Sequence, residues 1–231
     1  MILANISSTY TSPSSDKIVL SVSGFRYCSL VHQRERAQSL CLSLARFKYR
    51  VGMNSNQQIL FRELPFFAEG IVQIAVIVQN LENTVETFWH LFGIGPWHFY
   101  TYGFPLVNKM TYYGEPADYK MRVALANWGK TRIELIEHLE GKSIYADFIA
   151  EHGYGFHHVG ILVEDMQSAI LEAEEAGMRV IQDGSGFGLD GDGHFAYLDT
   201  EHRLGVIIEL IQRPKRRSPP EKIFPTEFQT K

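Results

Sequence analysis

The sequence predicts an α+β protein built from two similar βαβββ modules. Two observations support this prediction. A polar residue, a mostly apolar run and a helix-capping residue occur at 73–80 and again at 158–165. The tetrapeptide IELI also occurs twice, at 133–136 and at 208–211. Two unrelated markers that recur in the same order at similar spacing indicate a duplicated module.

The composition suits a globular protein and argues against two classes of partner. Of the 231 residues, 45% are hydrophobic, which is enough for one or two domains with a core. The formal net charge of −4 implies no general attraction to nucleic acid, and no apolar run approaches the length of a membrane span. Cys28 and Cys41 form no disulfide framework, so the cytoplasm is the expected location.

Residues 1–52 differ in composition from the rest of the chain. They contain seven Lys or Arg, two acidic residues and ten serines. A basic, Ser-rich and acid-poor start is typical of organelle transit peptides, so a targeting extension and a mitochondrial location are one interpretation. The other is an unstructured extension, or translation begun upstream of a true start at Met53, and we favour it because compositional signals are weak. Residues 18–22 are apolar enough for a short strand.

The first predicted module covers residues 66–140. Residues 71–78 are apolar apart from Gln73, which predicts a buried strand, and Asn80 is the predicted cap of the following helix. The helix presents one apolar face and ends at Gly93. That face consists of Val85, Phe88, Trp89 and Phe92. Further strands are predicted at 97–102 and 109–114, followed by a hairpin of 119–127 and 132–138.

The second predicted module covers residues 156–213 and repeats this order after a charged connector at 141–155 with a short helix. Asp165 and Gly177 are the predicted caps of its helix. Its strands are predicted at 159–163, 178–182, 194–199 and 205–212. The glycine-rich residues 184–193 are predicted to be a turn or loop that lacks the spacing of a phosphate loop. Residues 214–231 are predicted to be a solvated tail.

The repeat places a polar side chain at equivalent positions of otherwise apolar strands. Gln73 and His158 begin strands, while Glu134 and Glu209 lie within the two IELI motifs. A carboxylate between Ile and Leu is costly to bury unless it is paired or binds a metal. Each residue alone has a simpler structural explanation, but the repeated quartet predicts a divalent-metal site. His157 competes with His158 for this role, and the repeat favours His158.

The segments FHHVGILVED (156–165) and GVIIELIQRPK (205–215) resemble strands of the vicinal oxygen chelate superfamily, which includes glyoxalases, bleomycin-resistance proteins and dioxygenases. Residues 133–166 most closely resemble methylmalonyl-CoA epimerases. The resemblance covers residues 70–215 and implies that the two modules form a cupped mixed sheet. It also implies a divalent ion (Zn, Ni, Co or Mn) held by Gln73, Glu134, His158 and Glu209.

The quartet departs from the epimerase pattern, which has His at the position of Gln73 and Gln at the position of Glu134. It is similar instead to the ligand set of eukaryotic-type glyoxalase I. However, Ile77 and His138 stand where glyoxalase I has the Arg and Asn that bind glutathione. The epimerases have a second catalytic Glu on the strand before the second ligand, where this chain has Lys120 or Arg122, depending on register.

The resemblance implies a metal-dependent isomerase, epimerase or lyase that moves a proton beside the carbonyl of an acyl-CoA thioester or similar compound. Glu209 is the expected base, and Glu134 would act on the opposite face. A metal-free small-molecule-binding protein of the bleomycin-resistance type is the alternative, and an extradiol-type dioxygenase is less favoured. A homodimer is a candidate assembly. Five aromatic residues are expected in the pocket: Tyr100, Tyr102, Tyr112, Tyr113 and Trp128.

Overall fold

A computed structural model describes residues 21–22, 25–26, 50–54, 57–61 and 64–226 of the chain. Backbone contacts divide the chain into two compact units, Met1–Glu63 and Leu64–Lys231. The remainder of the predicted extension, including most of the predicted strand at 18–22, lies outside the described residues. In the first unit, the described residues form two hairpins: β1 (Ser21–Val22) with β2 (Phe25–Arg26), and β3 (Arg50–Asn54) with β4 (Gln57–Phe61).

The second unit contains a mixed sheet of 11 strands and four α-helices. Its first half comprises a 3₁₀ helix (Pro65–Glu69), β5 (Ile71–Ile77), α1 (Leu81–Phe92), β6 (Trp97–Tyr102), β7 (Lys109–Tyr112), β8 (Glu115–Pro116), β9 (Lys120–Trp128) and β10 (Thr131–Glu140). Its second half comprises α2 (Ile144–His152), β11 (Gly155–Leu162), α3 (Met166–Glu175), β12 (Val180–Phe187), β13 (Gly193–Leu198), α4 (Glu201–Leu204), β14 (Ile207–Gln212) and β15 (Lys222–Phe224). Within the described residues, no helix has the length and apolar character needed to cross a membrane.

The two modules lie side by side in this sheet. The strand order is β15-β6-β9-β10-β5-β11-β14-β13-β12-β7-β8. In each module the first strand pairs in parallel with the last, β5 with β10 and β11 with β14, and antiparallel pairing of β5 with β11 joins the modules. The predicted α+β fold with a curled mixed sheet is therefore confirmed.

The faces of the sheet are covered differently because side chains alternate along each strand. One face encloses a core to which both modules contribute, including Ala75, Tyr100 and Tyr197. The other face packs against the helices in two separate cores, one with Val85 of α1 and one with Ala173 of α3. Side chains on the enclosed face are therefore the ones that can form a shared site.

The two predicted N-caps are present, whereas the C-cap of α3 is Ala176 and not the predicted Gly177. The side-chain oxygen of Asn80 accepts a hydrogen bond from the backbone N–H of Asn83 at 2.8 Å, and Asp165 accepts one from Ser168 at 2.7 Å. The predicted apolar face of α1 is only partly correct. Phe92 is 59% exposed and stacks on Trp128 at the surface instead of entering the core.

One segment of the first module pairs with the second. Strand β7, which follows β6 in the chain, pairs with β12 in antiparallel register, Met110 opposite Gly184. The segment between β6 and β9 thus crosses from one outer strand of the duplicated sheet to the other. Local sequence pattern indicated a strand at 109–114 but carried no information about its distant partner.

Half of the glycine-rich run at 184–193 is strand, so the predicted turn or loop is confined to residues 188–192. Gly184 lies within β12, and a Cβ atom there would be 2.2 Å from Cζ of Phe195. This glycine is therefore required by the packing of an aromatic ring on the neighbouring strand. Only the residues between Phe187 and Gly193 form the connection between β12 and β13.

The carboxyl-terminal segment also departs from the predicted solvated tail. Residues 213–221, here called the strap, lead from β14 to β15, and β15 pairs with β6 at the edge of the first module. The backbone N–H of Leu189 donates to the carbonyl oxygen of Arg216 at 2.9 Å, and Arg216 also forms an ion pair with Asp190. The strap is thereby fixed to the loop between β12 and β13.

Candidate metal centre

Four polar side chains meet on the enclosed face of the sheet. Gln73, Glu134, His158 and Glu209 come from β5, β10, β11 and β14, which are neighbours in the order β10-β5-β11-β14. His158 is fully buried, Gln73 and Glu209 are each 4% exposed, and the Glu134 side chain is 12% exposed. The structure thus brings together all four residues that the sequence repeat had singled out.

The interatomic distances define a compact cluster. Nε2 of Gln73 donates to Oε2 of Glu134 at 3.0 Å and to Oε2 of Glu209 at 2.9 Å. Nε2 of His158 lies 3.1 Å from Oε2 of Glu209 and 3.4 Å from Oε2 of Glu134. Candidate ligand atoms of Glu134, His158 and Glu209 all lie within 4.8 Å of one another, a spacing at which they could hold one metal ion.

Burial and mutual proximity change the acidity of these groups. Burial raises the pKa of Glu134 and the charge of Glu209 raises it further, whereas His158 opposes both effects. For His158, burial favours the neutral ring, but the carboxylates of Glu209 and Glu134 outweigh it and raise the pKa of His158 to about 9. The ionisation states of these side chains are therefore coupled, and the two carboxylates favour a positive charge beside them.

Two further observations fit a metal ion at this point. Nε2 of His158 is buried and lies close to two carboxylates without a well-aligned hydrogen bond to either. Gly160 lies between Gln73 and Glu209 in register, and a Cβ atom there would be 2.9 Å from Cβ of Gln73 and 3.2 Å from Oε2 of Glu209. The missing side chain leaves room for the donor groups to converge. A half-turn of the Gln73 amide would present its oxygen, the atom by which an amide binds cations.

His157, the competing histidine, lies behind the cluster. Its Nδ1 is 2.9 Å from Nδ1 of His158, and its ring packs against Tyr145 and Phe148. Burial, and then the charge of His158, lower the pKa of His157 well below its usual value, so the ring is neutral. His157 therefore contacts the far side of the His158 ring and does not face the carboxylates.

A cavity of about 700 Å³, a volume that includes its open mouth, leads from solvent to the cluster. Gln73, Glu134 and Glu209 lie at its inner end. Its walls are largely aromatic and apolar, with Tyr100, Tyr102, Met121, Leu125, Phe187, Phe195 and Tyr197. The cavity is also lined by three arginines, Arg132, Arg213 and Arg217.

Two of the five aromatic residues expected in the pocket are found there, Tyr100 and Tyr102. Tyr113 and Trp128 are 58% and 59% exposed elsewhere, and the hydroxyl of Tyr112 donates to Asp147 at 2.7 Å. Sequence reasoning missed Phe195, Tyr197 and the arginines. Strand parity on β10 and β14 would have indicated Arg132 and Arg213, which share a face with the two glutamates.

The enclosed face of β9 carries no ionisable group. Met121, Val123 and Leu125 point inward, whereas Arg122 lies on the other face and forms an ion pair with Glu82 at 2.6 Å. Lys120 pairs with Glu140 at the surface. Neither basic residue therefore faces the cavity.

The residues suggested by comparison with the glutathione-binding positions also lie away from the pocket. Ile77 is buried in the enclosed core, and Nδ1 of His138 is 3.3 Å from the hydroxyl of Ser143 beside α2. Neither lines the cavity.

Comparison with known families agrees with this architecture. Residues 72–197 match the model of the Glyoxalase/Bleomycin resistance protein/Dioxygenase superfamily, and these residues are more than half of the chain. The chain belongs to this superfamily. The mixed curled sheet with a few helices is consistent with this membership. The matched region contains Gln73, Glu134 and His158, and Glu209 follows it.

Individual relatives of the superfamily are distant. The mitochondrial methylmalonyl-CoA epimerase of Bos taurus is 29% identical over 103 residues, which cover 43% of this chain and 58% of that protein. The chain therefore spans little more than half the length of this curated relative. Among solved structures, a Streptomyces coelicolor methylmalonyl-CoA epimerase in complex with 2-nitronate-propionyl-CoA is 21% identical with a TM-score of 0.49, covering 64% of this chain and 97% of that one. The Mycobacterium tuberculosis epimerase is 18% identical with a TM-score of 0.47, covering 65% and 89%.

Proposed function

We propose that this protein is a divalent-metal-dependent isomerase, epimerase or lyase that moves a proton beside a carbonyl or thioester. The observation that carries the proposal is the convergence of Glu134, His158 and Glu209, whose candidate ligand atoms lie within 4.8 Å of one another at the end of a cavity. The similarity to bovine methylmalonyl-CoA epimerase makes acyl-CoA thioesters the first substrate class to test.

The chain supplies a complete set of donors for an ion. Glu134, His158 and Glu209 would bind it directly, with the Gln73 amide oxygen as a fourth ligand. One imidazole and oxygen donors suit Zn, Ni, Co or Mn, and two carboxylates balance the charge of a divalent ion. When bound, the ion would stabilise the negative charge that develops on a substrate carbonyl oxygen.

The two glutamates are the groups that would move the proton. They project from β10 and β14, on opposite sides of β5 and β11, so each could reach a different face of a planar substrate. Burial raises the pKa of Glu134, which brings that carboxyl group closer to the range in which it can accept and return a proton near neutral pH. We assign Glu209 as the base and Glu134 as the group on the opposite face.

The rest of the cavity would exclude water and orient the substrate. Tyr102, Phe195 and Tyr197 form an aromatic wall, with ring centroids of Tyr102 and Phe195 6.2 Å apart and those of Phe195 and Tyr197 5.7 Å apart. Strand β9 presents Met121, Val123 and Leu125 on the enclosed face, so it offers no third carboxylate. Both proton-transfer steps would therefore depend on the metal centre itself.

A metal-free binding protein is the second candidate, and one observation favours it. The amide of Gln73 already donates to both carboxylates, and a protonated His158 would supply one positive charge beside them. Such a network satisfies the buried acids without an ion. In that case the same cavity would hold a small molecule without acting on it.

Metal analysis and proton exchange together distinguish the two candidates. We expect purified protein to contain a stoichiometric divalent ion and to incorporate solvent deuterium at the α-carbon of an acyl-CoA thioester. Glu209→Gln should abolish exchange, and Glu134→Gln should retain some metal but lose rate. Glu137→Gln, on the opposite face of β10, is the matched control and should change neither quantity. Protein that binds no metal and exchanges no α-proton on acyl-CoA thioesters or glutathione hemithioacetals is a binding protein.

A further inference from the structure

Positive charge is concentrated at the mouth of the cavity. Arg132, Arg213 and Arg217 line it together, while Glu134 and Glu209, at its inner end, are the only carboxylates of the described residues that line it. The whole chain has a formal net charge of −4, so this cluster is a local reversal of the overall charge. Among the described residues, none of the three arginines has a carboxylate within ion-pair distance.

The fold explains why the three side chains meet. Strands β10 and β14 run in opposite directions, because each is parallel to one of the antiparallel pair β5 and β11. Arg132 precedes Glu134 by two residues on β10, and Arg213, the first residue of the strap, follows Glu209 by four residues immediately after β14. Even spacing keeps each arginine on the face of its glutamate, and opposite strand directions bring both to the same end of the site.

The strap contributes the third arginine. Arg216 pairs with Asp190 on the neighbouring loop, and the strap packs so closely there that a Cβ atom on Gly188 would lie 2.4 Å from Pro214. Arg217, the next residue, lines the cavity. The position of Arg217 is thus fixed by contacts that hold the strap against the second module.

The three arginines carry like charges close together, which is unfavourable unless an anion is bound between them. Three guanidinium groups line the same cavity, and burial together with the charge of Arg217 lowers the pKa of Arg213. A divalent ion at the inner end would be balanced by Glu134 and Glu209, so neither carboxylate would remain to neutralise the arginines. Planar guanidinium groups bind carboxylates and phosphates through paired hydrogen bonds, which makes such an anion the matching ligand.

We propose that Arg132, Arg213 and Arg217 form an anion-binding site that holds a carboxylate or phosphate group of the substrate. The role of the anion as part of a substrate rests on the proposed function, whereas anion binding itself does not. By strand spacing, the backbone of Arg132 lies about 7 Å from that of Glu134, and the backbone of Arg213 lies about 13 Å from that of Glu209. A substrate would therefore place its reacting carbonyl at the inner end of the cavity and its anionic group at the mouth.

Calorimetric titration of the full-length protein as purified, with its metal content left unchanged, tests the site without any catalytic step. The probes are succinate, inorganic phosphate and coenzyme A, each titrated at low and high salt. We expect saturable, salt-sensitive binding that weakens by about tenfold or more for each of Arg132→Ala, Arg213→Ala and Arg217→Ala. Arg203→Ala removes the same charge from α4, outside the cavity, and should bind like wild type.

The probes also distinguish the source of the anion. Succinate binding comparable to that of coenzyme A would identify a carboxylate near the reacting group, and binding of coenzyme A alone would identify the nucleotide phosphates. Arg→Lys variants at the same positions, with melting temperatures measured in parallel, cover any alanine variant that does not fold. Absence of binding to wild type, or equal weakening by Arg203→Ala, would overturn the proposal. If wild-type protein binds the anion but exchanges no α-proton, the proposed function is overturned and the anion-binding site is not.

Discussion

At the scale of single residues, a glycine controls how closely the candidate ligands approach. Gly160 lies on β11 opposite Gln73 on one side and Glu209 on the other. An added Cβ would meet Cδ1 of Ile211 at 2.6 Å as well as the Gln73 and Glu209 side chains. Side chains on three adjacent strands can share one point only if the central strand contributes no bulk there.

Gly160→Ala should therefore remove most of the bound metal while lowering the free energy of unfolding only moderately. We expect a loss of about 1–3 kcal/mol from overpacking, together with loss of most bound metal because Gln73 and Glu209 are pushed apart. Adding Ile211→Val removes the nearest contact and should restore part of the melting temperature without restoring metal. Recovery of both by the second substitution would show that crowding of Ile211, and not of the ligands, causes the effect. Thermal denaturation and elemental analysis measure the two quantities.

The residues of the candidate site differ in how readily the sequence predicts them. Gln73, Glu134, His158 and Glu209 were identifiable because the duplication marks equivalent positions twice. Arg217 and Gly160 carry no such mark, because their significance depends on which distant strands become neighbours. The alternation of side chains places Arg213 on the same face as Glu209. Only the opposite directions of β10 and β14, which the sequence does not reveal, bring it beside Arg132.

At the scale of elements, the short strand β15 covers one side of the first module. Phe224 is half-buried and packs with the core beneath α1, opposite Trp97 in register. The preceding residue, Ile223, is 42% exposed on the other face. Composition alone suggested a solvated tail here, since the preceding Pro- and Arg-rich residues hide a three-residue strand.

Phe224→Ala and Ile223→Ala form a matched pair on this strand. Removal of the half-buried aromatic ring should cost about 1–2 kcal/mol, whereas truncation of the exposed aliphatic side chain should change stability by less than about 0.5 kcal/mol. Urea denaturation of the two variants measures the difference. Equal effects would mean that β15 contributes little to the core of the first module.

At the scale of the whole molecule, the structured core begins later than the sequence composition suggested. The change in composition occurs near residue 52, but the compact unit with both modules begins at Leu64. Leu64 and Phe66 are buried in the core that packs against α3. A boundary based on charge alone therefore falls 11 residues before the one that backbone contacts define at Glu63.

A chain that begins at Leu64 should match the full-length protein in stability and metal response. We expect equal melting temperatures without metal and an equal rise on adding it, because all four candidate ligands lie in this unit. An ion at one hundred times its Kd would add about 2.7 kcal/mol to the free energy of unfolding. Glu209→Gln in the shortened chain should remove most of that rise. A lower melting temperature for the shortened chain would show that residues before Leu64 stabilise the modules.

The short strands at the two ends of the sheet also affect how the molecule can associate. The outermost strands of the described sheet are β15, with three residues, and β8, with two residues, one of which is Pro116. Long unpaired strands invite pairing with another chain, whereas short edges and proline discourage it. Strand β12 is paired with β13 and β7, and β15 pairs with residues 97–99 of β6. If two copies associate through this sheet, we expect side-chain surfaces to form the interface, and strand-to-strand pairing at its ends is disfavoured while β8 and β15 stay in place.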